Sequence, residues 1–277
     1  MKVDAHQHFW RYNPTDYGWI TDEMFSLRRD FLPEDLMRVQ APLCFEGSIA
    51  VQARQTLTET EWLLQLAERN PLIMGVVGWV DLCSPELPIQ LGKYTRCPKL
   101  RGIRHIVQDE PDDQFMLRSD FQRGIGQLAR FGLTYDILIH PRHLLTACEL
   151  VRRFPDQPFV LDHMAKPFIK RGELEPWATD IKRLASFPNA HCKLSGMVTE
   201  ADWRNCRPED LKPYLDVVFD AFGPQRLMIG SDWPVCTLVM PYEQVMAIVI
   251  GYSRHCSAAE QRMILGENAQ AFYGVAR

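Results

Sequence analysis

Two histidines, His6 and His8, stand two residues apart in the short apolar segment 3–9. In an extended strand that spacing puts both imidazoles on one face of the pleat. Neutral imidazoles held side by side suit a divalent metal, or they can donate hydrogen bonds to a substrate anion. H-x-H alone carries little weight, since a surface strand can hold such a pair by chance; its place in a first strand is what raises it. Asp232 closes the run Ile229-Gly230-Ser231-Asp232-Trp233-Pro234, where a carboxylate can act as a general base. An aspartate before a proline is equally a turn or helix N-cap residue, and this segment alone does not separate the two readings. His163 ends Val160-Leu161-Asp162-His163; in a regular strand Asp162 points to the opposite face, so only one of the pair lines an interior. A lone buried histidine is more often a satisfied core residue, but a strand terminus is where barrel catalysis occurs. His140, in Ile139-His140-Pro141, has a similar position with less around it, and Arg142 and His143 read as the start of a solvated helix.

What could bring these residues together is a set of repeating elements. Segments 3–9, 47–53, 73–81, 100–107, 134–139, 159–164, 190–195 and 226–232 are short runs of β-branched or apolar residues. Between them, 57–70, 118–131, 142–154, 173–187, 208–222 and 242–255 carry apolar residues at three- and four-residue spacing, the helical period. Helix starts are written where Thr58 precedes Glu61 and Ser257 precedes Glu260, the S/T-x-x-E pattern that satisfies orphan N–H groups. Strand alternating with helix implies a parallel sheet. An open doubly wound sheet would carry G-x-G-x-x-G after its first strand, which is missing, and eight units suit closure. No linker, repeat or low-complexity stretch divides the chain. The expected fold is therefore α/β: a single (β/α)8 TIM barrel spanning residues 1–277. Closure places strand eight beside strand one, and so Asp232 beside His6 and His8, which favours the catalytic reading of Asp232.

Composition agrees with one ordinary globular core: 277 residues, 46% apolar, 24% charged, net charge -4. So weak a charge offers no basic field for nucleic acid and no polybasic patch for a membrane. The eight cysteines contain no C-x-x-C pair, which is neither a zinc-knuckle spacing nor a disulfide framework, and they read as reduced thiols. With no apolar leader at Met1 and no run near the ~18 residues of a membrane span, a cytoplasmic protein is expected.

Taken together, Asp4-Ala5-His6-Gln7-His8, Leu161-Asp162-His163 and Gly230-Ser231-Asp232-Trp233-Pro234 resemble the amidohydrolase superfamily. Gly102-Ile103-Arg104-His105, the segment 162–167 and Asn268-Ala269 extend the likeness over nearly the whole chain. The pattern is of the amidohydrolase 2 type and is most similar to the sugar-lactonase branch of L-fuconolactonases and L-rhamnonolactonases, with 2-pyrone-4,6-dicarboxylate lactonases more distant. The resemblance implies a hydrolase that opens a sugar-acid lactone, with Asp232 taking a proton from water and His6, His8 and His163 around the reacting carbonyl. It further implies substrate contacts from Arg104 and Lys166 and pocket walls from Trp79 and Trp233. The plainer readings are surface salt bridges for the two cations and core packing for the two indoles. One departure stands out: Arg104 and His105 end strand four, where the metal-dependent pattern has a carboxylated lysine, so a two-metal centre is not expected. No cofactor is expected to be obligatory; a single zinc or manganese ion would be held by His6, His8, His140 and Asp232.

Two rivals follow from the same residues. A mononuclear metal-dependent decarboxylase or amide hydrolase would use His140 as a further ligand. A non-catalytic barrel that only binds a partner would have to bury four polar groups at strand ends for no chemical return. Segment 12–29, rich in aromatic and charged residues, is expected to cover the mouth, and the acidic run 109–113 reads as a solvated turn or a loop on the substrate side.

Overall fold

The computed structural model describes residues 1–275, so the last two residues of the expected 1–277 domain lie outside the described residues. Eight parallel strands follow one another in sequence order: β1 (Lys2–Gln7), β2 (Phe45–Val51), β3 (Ile73–Gly78), β4 (Leu100–Ile106), β5 (Thr134–Leu138), β6 (Phe159–Leu161), β7 (Ala190–Leu194) and β8 (Leu227–Ile229). The ring is closed by backbone bonds between its first and last members. The His8 N–H donates to the Trp233 carbonyl at 2.7 Å, and the Asp232 N–H to the His6 carbonyl at 2.8 Å. Ser231 adds its N–H and its hydroxyl to the Asp4 carboxylate, at 2.9 and 2.6 Å. This is the TIM barrel read from the sequence, and the open-sheet alternative is excluded.

Alternation along the strands explains the layers. Tyr135, Ile137, Phe159, Leu161, Leu194 and Ile229 join the apolar layer beneath the helices. Their neighbours Val160 and Met228 join a smaller cluster with Val3, Ala5, Ile49 and Val51, while Asp136 and Lys193 meet each other at 2.5 Å. The chain end seals this interior: Tyr273, after α11 (Asn268–Phe272), packs in the smaller cluster and donates its hydroxyl to Asp136 at 2.8 Å.

Outside the strands lie α1 (Pro33–Gln40), α2 (Leu57–Arg69), α3 (Leu87–Tyr94), α4 (Ser119–Leu128), α5 (Leu144–Arg153), α6 (Trp177–Ala185), α7 (Met197–Glu200), α8 (Pro208–Phe222), α9 (Tyr242–Tyr252) and α10 (Ala258–Arg262). Two of these, α1 and α3, are eight-residue helices that fall between the periodic segments read from sequence. The Ser257–Glu260 capping box forms as expected. The Thr58–Glu61 start does not. The same spacing occurs two residues earlier, and it is Thr56, with extended backbone, whose hydroxyl accepts the Glu59 N–H at 3.2 Å. No helix among the described residues is long and apolar enough to cross a membrane. The eight cysteines form no disulfide.

Glu59 itself has a second role. Its Oε2 accepts the N–H groups of Ala53 and Arg54 at 3.1 and 2.7 Å, which fixes the chain leaving β2. Burial pushes this carboxyl up to about 7, against the pull of those bonds and of Arg54. A carboxyl with a raised folded-state pKa binds its proton more tightly folded than unfolded. Its contribution is therefore most favourable below the unfolded value of 4.5 and is lost as pH rises to about 7. The stability of Glu59→Gln relative to wild type should accordingly rise by up to about 3 kcal/mol between pH 4.5 and pH 8. Urea unfolding at several pH values measures this, and a pH-independent difference would contradict it.

Candidate active site

The C-terminal ends of the strands are less regular than the sequence suggests, and the irregularity builds the site. β6 stops at Leu161, and residues His163 to Lys166 all take left-handed backbone, with φ of 53°, 52°, 60° and 52°. The regular strand expected over 159–164 would have turned Asp162 away from His163. Instead both reach the same centre: Asp162 Oδ1 is 3.3 Å from His6 Nδ1, and the His6 and His163 rings are 4.4 Å apart. The sharp turn needs room, which Gly196 provides after β7. Gly196 has φ 63°, and a Cβ there would lie 2.5 Å from His163 Nδ1.

At β8 the ladder ends at Ile229 rather than at Asp232, and Asp232 takes φ 58°. In β1 a register shift against β2 between Asp4 and Gln7 accompanies the turn of His6 away from the apolar cluster that holds Val3 and Ala5. The outcome is a tight constellation. Asp232 Oδ1 lies 3.3 Å from His8 Nε2 and 3.8 Å from both His6 Nε2 and His163 Nε2, and the two Nε2 atoms of His6 and His8 are 3.2 Å apart.

Protonation follows from the surroundings. Burial drives His6 well below its ordinary value and His163 down to about 4, so both imidazoles are neutral near pH 7. Burial opposes ionisation of Asp232, but the facing imidazoles of His163, His8 and His6 outweigh it and hold the carboxyl well below the usual range. The His8 Nδ1 lies 2.8 Å from the Val51 carbonyl. A carbonyl can only accept, so His8 Nδ1 carries a proton, and this bond orients the ring with Nε2 toward Asp232.

Beneath this centre is a polar layer that adds Asp136 and Lys193 to the residues singled out from the sequence. Lys193 Nζ lies 2.5 Å from Asp136, 3.0 Å from Asp162 and 3.2 Å from His6 Nδ1, all fully buried. Arg104, 3% exposed, bonds Asp162 at 2.9 Å, reaches the Gln52 carbonyl and stands 3.4 Å from His6 Nε2. Burial raises Asp162, but Lys193, His6 and Arg104 together hold it well below its ordinary value, whereas burial pushes Asp136 up to about 6. One signal was available: Asp136 and Lys193 are charged residues inside otherwise apolar strands, a pattern that burial permits only for paired charges.

His8, His163, Arg104 and Asp232 open into a cavity of about 370 Å³, within the ~300–1,000 Å³ of small-molecule sites. Lys166 stands on its wall, and Trp19 and Met24 bring segment 12–29 to the same cavity. Trp79 and Trp233 do not line this cavity: Trp79 donates its indole N–H to His105 at 3.4 Å, and Trp233 packs edge-on against Phe9 and Phe31. The wall indoles are Trp19 and Trp203. Asp109 of the acidic run reaches the cavity, while Asp113 is outside it and pairs with Arg142 and His143. His143, read as solvated, is buried.

Three donors, His6 Nε2, His8 Nε2 and Asp232 Oδ1, converge with all ligand atoms within 4.8 Å. Neutral imidazole and ionised carboxylate are the states a metal needs. Each ring also has an outer partner of the kind that orients metal ligands, Val51 for His8 and Asp162 for His6. The cluster could therefore hold a metal. Asp162 and His163 form a second such group with His6, and His140 belongs to neither.

A barrel whose strand ends gather histidines around one ionised aspartate, at the mouth of a small cavity, defines a class of α/β-barrel proteins built for hydrolytic chemistry. The chain belongs to the amidohydrolase family, whose model matches residues 3–275. It is 42% identical over 286 residues to an L-fucono-1,5-lactonase of Burkholderia multivorans, covering 99% of this chain and 96% of that protein. To an L-fucono-1,5-lactonase of Burkholderia ambifaria it is 36% identical, covering 100% and 97%. The crystal structure of a Burkholderia multivorans amidohydrolase with bound zinc superposes with a TM-score of 0.96 at 42% identity, over 100% of both chains.

Proposed function

We propose that this protein hydrolyses the lactone of a sugar acid, of the L-fucono or L-rhamnono kind. The observation that carries the reading is Asp232 Oδ1 set within 3.8 Å of the Nε2 atoms of His6, His8 and His163 at the cavity, joined by whole-length similarity to proteins named as L-fucono-1,5-lactonases.

The chemistry follows from the positions of the groups. A water held against Asp232 Oδ1 gives up its proton to that carboxylate as its oxygen attacks the lactone carbonyl. Negative charge grows on the carbonyl oxygen, where Arg104 and imidazole N–H groups can donate to it. The C–O bond to the ring oxygen then breaks, and the proton on Asp232 passes to the leaving alkoxide, which restores the carboxylate. Asp162 and Lys193 hold His6, and the Ser195 hydroxyl, 2.9 Å from His163 Nδ1, holds His163. His6, His8 and Asp232 would hold a zinc or manganese ion, which when bound acidifies water and polarises a carbonyl. An ester needs less electrostatic help than an amide, so the metal is not required by this reading.

The decarboxylase or amide-hydrolase rival relied on His140 as a ligand; with its ring outside both donor groups, it has less support. A cytoplasmic setting goes with eight unbridged thiols, and the partner is the small-molecule substrate. Hydrolysis of a panel of aldonolactones, followed with a pH indicator with and without chelator, tests the proposal. Chelator-resistant turnover of a deoxy-sugar lactone is the expected result. No turnover of any lactone, even with added zinc or manganese, would overturn it.

A further inference from the structure

One wall of the cavity carries two charged groups that the hydrolytic step does not use. Lys166 ends the left-handed turn after β6, and Glu200 ends α7 after β7. Both line the cavity, and Lys166 Nζ is 3.9 Å from Glu200 Oε1. That separation exceeds a hydrogen bond, and among the described residues neither head group has a hydrogen-bond partner, although their side chains are only 20% and 24% exposed. A donor and an acceptor so placed can share one hydroxyl. An oxygen about 2.8 Å from each atom accepts from the ammonium and donates to the carboxylate at an angle near 90°. A carboxylate or phosphate group would satisfy Lys166 and repel Glu200, so the pair selects a neutral hydroxyl.

The neighbouring residues suit the rest of a sugar ring. Trp203 also lines the cavity, and its indole N–H donates to the Thr199 carbonyl at 2.8 Å, while the Thr199 hydroxyl bonds the Gly196 carbonyl at 2.8 Å. The segment from Gly196 to Trp203 is thus tied to itself, and its nitrogen is occupied, which leaves the indole to offer apolar surface to C–H groups.

We infer that Glu200, acting with Lys166, reads one hydroxyl of the lactone ring, and that Trp203 flanks the same ring, making this wall a determinant of sugar specificity. The inference rests on the lactonase reading and adds to it the residues that choose among sugars. Glu200 is not required for water attack, so its loss acts on substrate recognition.

The test compares wild type, Glu200→Gln and Glu200→Ala on the best aldonolactone and on analogues that each lack one hydroxyl. Wild type should lose about 10- to 100-fold in kcat/KM on one analogue, chiefly through KM. Glu200→Ala should lose a similar factor on the parent lactone yet no longer distinguish it from that analogue, and Lys166→Met should behave alike. Equal losses on the parent and every analogue, or no loss, would overturn the inference while leaving the lactonase reading intact. Failure of wild type on every lactone would overturn both. Melting temperatures of the variants separate lost folding from lost recognition, and Glu200→Gln, which keeps an acceptor and the side-chain volume, should retain more of the discrimination than Glu200→Ala.

Discussion

Asp232→Asn is expected to lower kcat/KM by at least about 100- to 10,000-fold, the usual contribution of a positioned general base. The substitution is well matched to the site. Asp232 sits at φ 58°, a conformation that asparagine and aspartate tolerate better than other side-chain-bearing residues. Its main-chain bonds, the N–H to the His6 carbonyl and the C=O from the Cys236 N–H at 2.9 Å, do not involve the side chain. The fold should survive, with a melting temperature close to that of wild type, whereas Asp232→Ala would add left-handed strain of about 1–2 kcal/mol. The amide removes the base and also the negative charge that faces three imidazoles. Lactone hydrolysis and thermal unfolding measured on one preparation decide the matter: turnover near wild type in a folded Asp232→Asn protein would exclude Asp232 as the base.

The second large effect concerns stability. Lys193→Met should destabilise the protein by about 3–5 kcal/mol, because removal of one partner leaves buried charge without compensation. Lys193 is the cation between Asp136 and Asp162, and all three side chains are fully buried. Asp162 would keep Arg104, but Asp136 would keep only the Tyr273 hydroxyl. Asp136→Asn in the same chain should recover part of the loss, since it removes the charge left behind. Turnover should fall as well, because His6 Nδ1 loses a contact at 3.2 Å that helps hold its ring. Urea unfolding gives the free energies. A loss below about 1 kcal/mol would mean that Lys193 contributes little to holding this layer together.

These two residues differ in how far sequence could foresee them. Asp232 follows an apolar run and is followed by a proline, so its position at a strand end was legible. Lys193 lies in Ala190-His191-Cys192-Lys193-Leu194, and its partners come from β5 and from the turn after β6. A charge inside that strand marks it as paired once buried, but nothing local says with which residues. Helix starts show the same limit on a small scale. Thr56 and Thr58 both precede a glutamate by three residues, and only the backbone entering α2 decides which hydroxyl reaches an N–H.

The alternation of eight strands with helices, the order that brings strand eight back to strand one, and the strand-end positions of His6, His8, His163 and Asp232 are legible in the chain alone. Period and spacing are properties of the local chain, and closure follows from counting units. Tertiary structure decided which side chains actually turn inward. The left-handed turn after β6 sends Asp162 and His163 to one centre. His140 stays outside the two donor groups, and Trp19 and Trp203 line the wall where Trp79 and Trp233 were expected. Those outcomes depend on where each strand leaves its ladder, and that is set by contacts between residues distant in the chain, such as the room that Gly196 leaves for His163.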